Sequence, residues 1–297
     1  MVYGITGNTK KDALWAAVAA LVKRFSQNGL SYLLATHVAD GLVHRKLVTS
    51  TVSCAASAKE LAERADVILS FGGDGTLLRT AHDLGESGTP ILAINIGRVG
   101  FLADVSVQSV DLAVTALEAG AYSIDERLVL SVDIDDGEQV GRLWALNDVV
   151  IARAGSTGLI ALDVMADDTP LSRFWADGLI VSTPTGSTAY SLAVGGPIIA
   201  PGSDVVVLSP IAPHSLTVRP IVLPSTTKLQ IRVTGGHLPY VLAVDGECGA
   251  PRDDTVTFTV RRASHRINLV KLPEGHYFRT LRNKLSWGVG PQSGVEG

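Results

Sequence analysis

The chain has 297 residues, a formal net charge of −4, and 46% hydrophobic against 18% charged residues. That length accommodates two domains with separate cores, and the mildly acidic balance gives no support for broad binding to nucleic acid or membrane surfaces. Cys54 and Cys248 cannot build a disulfide framework and lack metal-ligand spacing, which points to a reducing compartment. The start, Met1-Val2-Tyr3-Gly4, shows no charged region followed by a long apolar one, and no apolar stretch reaches membrane-spanning length. The expectation is a soluble, cytoplasmic protein.

In the first half, strand and helix alternate. Tyr3 to Thr6 reads as a strand ending at Gly7-Asn8. A helix from about Lys11 to Ser26 follows, with Leu14, Val18, Leu21, Val22 and Phe25 at helical spacing and Asn28-Gly29 as its stop. Tyr32 to Ala35 is a second strand, Ala58 to Arg64 a short helix, and Val67 to Phe71 a buried strand. A helix from Thr76 to Leu84, a strand from Ile91 to Asn95 and a helix from Val107 to Ala119 complete this half. Ser106 is the expected cap of the last helix and Gly120 its stop. The alternation predicts a Rossmann-like, doubly wound parallel sheet over residues 1–122.

Residues 123–272 read differently. Leu128 to Asp135 largely alternates, and Asp136-Gly137 is a hairpin signal. Leu143 to Arg153, Leu159 to Met165, Leu179 to Ser182, Val205 to Leu208, Lys228 to Val233, Tyr240 to Val244 and Thr255 to Val260 all read as strands. Asp167-Asp168, Gly235-Gly236 and Asp253-Asp254 separate several of them. One short helix, about Ser187 to Val194, interrupts an otherwise all-β half, which predicts a sandwich. The segment 273–297 regains helical spacing at Tyr277, Leu281 and Leu285 and is expected to return to the N-terminal domain.

Two stretches carry chemistry. Gly72-Gly73-Asp74-Gly75-Thr76 joins a strand to a helix start, the arrangement in which backbone N–H groups converge on an anion and glycines let it approach. Asp74 has two readings here. It is either a base or magnesium organiser beside a transferring phosphoryl group, or a helix N-cap. The second stretch, Asp177 to Tyr190, runs from a buried strand through Thr183-Pro184-Thr185-Gly186-Ser187-Thr188 into a helix start. Its hydroxyls suit a sugar, a phosphate or a base edge, or else they cap a turn. Ser182 and Ser187 lack a Gly-x-Ser-x-Gly context, which argues against a serine hydrolase. The seven histidines show no metal-ligand pair; His214, in a Pro-rich turn, reads as structural.

Together the two stretches resemble the NAD kinase family. Asn95-Ile96-Gly97-Arg98-Val99-Gly100-Phe101-Leu102, Val244-Asp245-Gly246 and the C-terminal run Tyr277 to Gly288 resemble further family segments, so the likeness covers roughly residues 66 to 288. The resemblance implies transfer of phosphate from ATP, with Mg2+, to the 2′-hydroxyl of the adenosine ribose of NAD. It places Asp74 at that hydroxyl as general base, and Gly72, Gly73, Gly75 and Thr76 facing the ATP phosphates. NAD would be held by Asp74, Gly75, Asn147, Asp148, Thr185, Thr188, Ala189 and Tyr190. Asp177 would face the nicotinamide end across a subunit contact, in a dimer or tetramer, with the substrate between the domains. No protein-bound structural metal is implied.

Two positions depart from the family pattern. Asp148 stands where the family usually has Glu, and Trp175 where it often has a basic residue; nearby Arg173 is a candidate substitute. The second departure leaves NAD against NADH open. Arg79 and Arg98 are candidate phosphate partners or solvated surface cations. Gly-Gly-Asp-Gly alone is shared with lipid kinases and phosphofructokinases, so a lipid or sugar kinase is the rival enzyme. A non-catalytic dinucleotide-binding regulator is the rival of another class.

Overall fold

The computed structural model describes residues 1–48, 55–97, 100–103, 105–135, 140–155, 157–234, 238–273 and 277–287. The turns Asp136-Gly137 and Gly235-Gly236, Arg98, Cys54 and Gly288 lie outside the described residues. The chain divides into two units. The first comprises Met1–Asp125 and Asn268–Gly297, the second Glu126–Ile267.

In the first unit the order is β1 (Val2–Gly7), α1 (Asp12–Asn28), β2 (Ser31–Ala35), α2 (Thr36–His44), β3 (Ala55–Ala56), α3 (Ala58–Arg64), β4 (Val67–Gly72), α4 (Asp74–Leu84) and β5 (Ile91–Asn95). A helix Val110–Glu118 follows. The sheet runs β3-β2-β1-β4-β5, then the strands Ile267–Lys271 and Ser123–Arg127. β1 pairs in parallel with β2 and β4, and β4 with β5. The strands Val67–Gly72 and Ile91–Asn95 are buried at every position, as parallel strands covered on both faces require. α1 buries Leu14, Trp15, Val18, Leu21, Val22 and Phe25, and ends at Gly29, whose φ of 67° lets its N–H reach the Phe25 carbonyl. α3 starts on a capping box between Ser57 and Glu60.

The second unit is two six-stranded antiparallel sheets, counted over the described residues. Alternate residues of both, among them Val149, Ile151, Leu162, Val164, Leu179, Val181, Leu242, Phe258 and Val260, form one core.

Several expectations change. The run Leu143 to Arg153 is two strands, Val140–Ala145 and Asp148–Arg153, which belong to different sheets. The chain crosses between sheets at Leu146-Asn147, where Asn147-Asp148 is the one polar pair between two apolar stretches. Thr36–His44 forms an unforeseen helix and Thr169–Ala176 an unforeseen strand. Ser106 is not the cap of a helix beginning at Val107. Its hydroxyl meets the Ser109 hydroxyl at 3.0 Å, a 3-10 turn covers Val107–Ser109, and the α-helix starts at Val110. The C-terminal helix is described from Tyr277 to Leu285. Residues 268–272, read as part of the β half, group with the first unit, because Leu269 pairs in parallel with Ile91.

Candidate functional site

Strands β1 and β4 are neighbours, and each runs into a turn and then a helix. Their carboxyl ends are therefore where open parallel sheets bind ligands. A cavity of about 640 Å³ opens there, lined by the loop Gly7 to Lys11, His37, Gly73, Gly75, Thr76 and Arg79. The Asn8 side chain accepts the Lys10 N–H at 3.0 Å, which curls the first loop. His37 donates from Nε2 to the Gly7 carbonyl at 3.3 Å. The α-carbons of Gly73 and Gly75 face open space, so a ligand can touch the backbone there. Gly72 is buried behind the Thr76 side chain and is not part of the cavity wall. An anion in this cavity meets the amino end of α4 with Lys10, Lys11 and Arg79 in the lining, against one acid, Asp83.

Asp74 is the first residue of α4, but it does not cap the helix. The cap position is Gly73, with no side-chain cap bond. The Asp74 carboxylate instead accepts three consecutive backbone N–H groups from the following loop. Phe101 donates to Oδ2 at 2.8 Å, and Leu102 and Ala103 donate to Oδ1 at 3.0 and 3.1 Å. A carboxylate oxygen accepts about two hydrogen bonds. Among the described residues, these bonds fill Oδ1 and leave one acceptor direction on Oδ2. The loop is shaped for this. Asn95 donates from Nδ2 to the Ala103 carbonyl and accepts the Gly97 N–H. At Gly100 a β-carbon would lie 1.8 Å from Asp74 Oδ1, so only glycine admits the carboxylate. Gly100 to Ala103, braced by Asn95, are thus a socket for Asp74.

In the second unit three segments converge. Thr183 N–H donates to the Asn147 carbonyl at 2.9 Å, and Thr183 Oγ1 donates to the Leu146 carbonyl at 2.6 Å. Thr183 Oγ1 also accepts the Gly186 N–H. A β-carbon at Gly186 would lie 2.1 Å from the Asn147 carbonyl oxygen. The third segment is the two-residue turn Asp245-Gly246, both residues at positive φ, between Val244 and Glu247. Asp245 accepts the N–H groups of Leu146, Asn147 and Asp148 at 2.8, 2.7 and 3.1 Å.

Asp148 is only 6% exposed, so its carboxyl is buried rather than solvent-facing. Burial, followed by the nearby Asp245 charge, pushes its carboxyl up to about 7, against a hydrogen bond from the Tyr190 N–H that favours the ionised form.

Within Thr183 to Tyr190 most hydroxyls serve the turn itself. Ser187 Oγ donates to the Pro184 carbonyl and accepts the Ile199 N–H, and Thr188 Oγ1 donates to the Thr185 carbonyl. Thr185 is buried and accepts Arg127 Nη1 at 3.1 Å. Thr188 and Ala189 are half-buried, and Tyr190 is 45% exposed. Asp177 is gripped by Arg153, whose Nε and Nη2 reach its two oxygens at 2.8 and 3.3 Å. Trp175 is 48% exposed on an edge strand. Arg173, the candidate substitute, is exposed and already paired. It forks onto Asp163, which holds that carboxyl below its ordinary range. No cluster of three or more potential metal ligands occurs among the described residues. No helix among them is long and apolar enough to cross a membrane.

Sequence reasoning missed Asp245 and Arg127. The Asp-Gly turn was visible, but its partners lie some hundred residues away.

Comparison with known proteins bears on both units. The family model for the ATP-NAD kinase N-terminal domain matches residues 4–122, and that for the ATP-NAD kinase C-terminal domain matches residues 146–272. The NAD kinase of Flavobacterium psychrophilum is 33% identical over 290 residues, covering 97% of this chain and 98% of the relative. That of Bacteroides fragilis is 37% identical over 293 residues, covering 97% and 99%. Yeast NADH kinase complexed with NADH superposes with a TM-score of 0.89 at 24% identity, over 99% of this chain and 89% of that one. An NAD kinase from Archaeoglobus fulgidus in complex with ATP gives 0.74 at 24% identity, over 98% and 100%. At that identity the two structures speak for the fold.

Proposed function

The chain belongs to the NAD kinase family, and on that premise we propose that it transfers the γ-phosphoryl group of ATP to the 2′-hydroxyl of the adenosine ribose of NAD, giving NADP and ADP. The observation that carries this reading is the Asp74 carboxylate. It is immobilised by three N–H groups, keeps one acceptor direction, and stands between the two glycines that line an anion-ready cavity. In the transfer, the ribose oxygen forms a bond to the γ-phosphorus while the bond to the ADP oxygen breaks, and the hydroxyl proton passes to Asp74 Oδ2. Such a transfer depends mostly on positioning and charge neutralisation.

In this reading the ATP phosphates lie against Gly73, Gly75 and Thr76, with Gly72 shaping the turn behind them. Magnesium enters as the MgATP complex. A Mg2+ held chiefly by phosphates and water needs few protein ligands, which suits a site with no acidic cluster among the described residues. Asn147 and Asp148 hold the ribose of NAD, and Thr188, Ala189 and Tyr190 its adenosine, on the turn that Thr185 supports. Asp177 serves the nicotinamide end across a subunit contact in a homo-oligomer, and the protein works in the cytoplasm.

The test is direct. Purified protein with magnesium and ATP is expected to convert NAD to NADP, read by an NADP-specific dehydrogenase. Binding of NADP without turnover would favour the regulator instead. Light scattering at assay concentration is expected to show no active monomer.

A further inference from the structure

We propose that Asp245 is a positioning residue for nucleotide recognition, acting through Asn147 and Asp148 and making the seat of the NAD ribose sensitive to pH. The proposal rests on the kinase reading for the identity of the ligand, but not for the geometry.

The geometry begins with a requirement for both carboxylate oxygens. Oδ2 accepts the Leu146 N–H, while Oδ1 accepts those of Asn147 and Asp148. Asparagine would offer one oxygen and turn an NH2 group toward a remaining donor. Glycine would suit the positive φ of 49° at this position but supply no acceptor at all. Asp, which tolerates the left-handed region, meets both demands. The grip is reciprocal, because the Asp245 N–H donates to the Asp148 carbonyl at 3.0 Å. The held segment is also where the chain passes from one sheet to the other, so neighbouring strands alone do not fix it.

The anchor has an electrostatic consequence. The groups facing the Asp148 carboxyl are the Asp245 carboxylate, from the turn, and the Tyr190 N–H, from the hydroxyl-rich segment; Ser182 pairs with Asp148 across the neighbouring strand. A second negative charge opposes ionisation of Asp148. With burial as the larger opposing effect and the Asp245 charge as the second, the Asp148 carboxylate becomes fully available to ribose hydroxyls only as pH rises through about 7. KM for NAD falls over that range, whereas KM for ATP, bound in the other unit, does not follow it.

The test is Asp245→Asn, with KM for each substrate measured across pH and the Asp148 carboxyl followed by carbon NMR. Expected are a rise in KM for NAD on the order of tenfold, consistent with one unsatisfied donor, a KM for ATP within about twofold, and a lower titration midpoint for Asp148. A midpoint and KM for NAD both equal to wild type would overturn the proposal. If wild-type protein fails to phosphorylate NAD, the kinase reading falls while the NMR midpoint still decides the role of Asp245. Should Asp245→Asn not fold, Asp245→Glu carries the test. It keeps the charge but displaces the oxygens, so a raised KM for NAD alone is expected, and wild-type KM values would overturn the proposal.

Discussion

Asp74 and Asp245 belong to units of different architecture, one a parallel sheet flanked by helices and the other a pair of antiparallel sheets. Yet each puts its carboxylate into three consecutive backbone N–H groups, two on one oxygen and one on the other. The difference lies in what the socket contains. Around Asp74 the donors are Phe101, Leu102 and Ala103, whose side chains carry no charge, and the carboxylate is the base we propose. Around Asp245 one donor is Asp148, itself acidic and buried, and the anchor acts through the residue it holds. The same device thus fixes the proposed base in one unit and, in our proposal, tunes a neighbour in the other.

Removing the base is the sharpest way to break the comparison. Asp74→Asn is expected to lower kcat by about 100- to 10,000-fold while KM for both substrates stays within a few-fold. A near-normal kcat would show that Asp74 only organises its loop. Thermal unfolding of the same variant checks that the loop is intact.

The glycines opposite the two sockets come next. Gly100→Ala presses a β-carbon onto the end of the Asp74 side chain, which can swing away, so activity is expected to fall far more than stability. Gly186→Ala presses it onto the Asn147 carbonyl, which cannot move without its strand, so a loss of roughly 1–3 kcal/mol is expected from overpacking. Denaturant unfolding ranks the two variants, and the reverse order would contradict the account.

A smaller effect concerns Asp148. Its folded-state carboxyl titrates near 7, well above the ordinary carboxylate range, so the folded protein binds this proton more tightly than the unfolded chain does. Its contribution to stability therefore falls as pH rises from about 4 to about 7 and is level above that. The wild-type Tm is expected to decline relative to Asp148→Asn across that window. Parallel Tm curves would show that Asp148 is not buried in the protonated form. The smallest effect is expected at Arg173→Ala. The exposed pair with Asp163 is screened by solvent and contributes little to stability, and KM values for NAD and NADH are expected to remain unchanged. A shift in their ratio would return Arg173 to the site.

Much of this was legible in the sequence, and the illegible part has a common cause. Strand, glycine turn and helix around Asp74 are local events, announced by Val67 to Phe71 and by Gly72-Gly73. The Thr183 to Tyr190 turn is announced by its proline, glycine and hydroxyls. The partners were not legible, because hydrogen bonds between Asp245 and Leu146 to Asp148 span nearly a hundred residues. The break at Leu146-Asn147 was hidden for the same reason. Asn147-Asp148 is a turn-forming pair, but apolar residues flank it on both sides and the carboxylate that fixes the crossing is distant in the chain, so the run reads as one strand. Thr36–His44 escaped because its nine residues bury only Val38, Ala39 and Leu42, too short a pattern to declare a period.

The strand Ile267–Lys271 gives the molecule a history as well as a shape. β5 is flanked by Val105–Ser106 at Ile94 and Asn95, but Ile91 waits for Leu269. About 170 residues separate the two strands, including the whole second unit. At typical rates of synthesis the ribosome needs roughly ten to thirty seconds to deliver the missing strand. Throughout that interval the nascent parallel sheet holds an unfinished edge, while the β unit, whose strands are contiguous in the chain, is free to mature first. The last part of the N-terminal sheet is laid down only after the second unit has been made, so a message truncated just before Ile267 would yield a near-complete second unit and an unfinished first one.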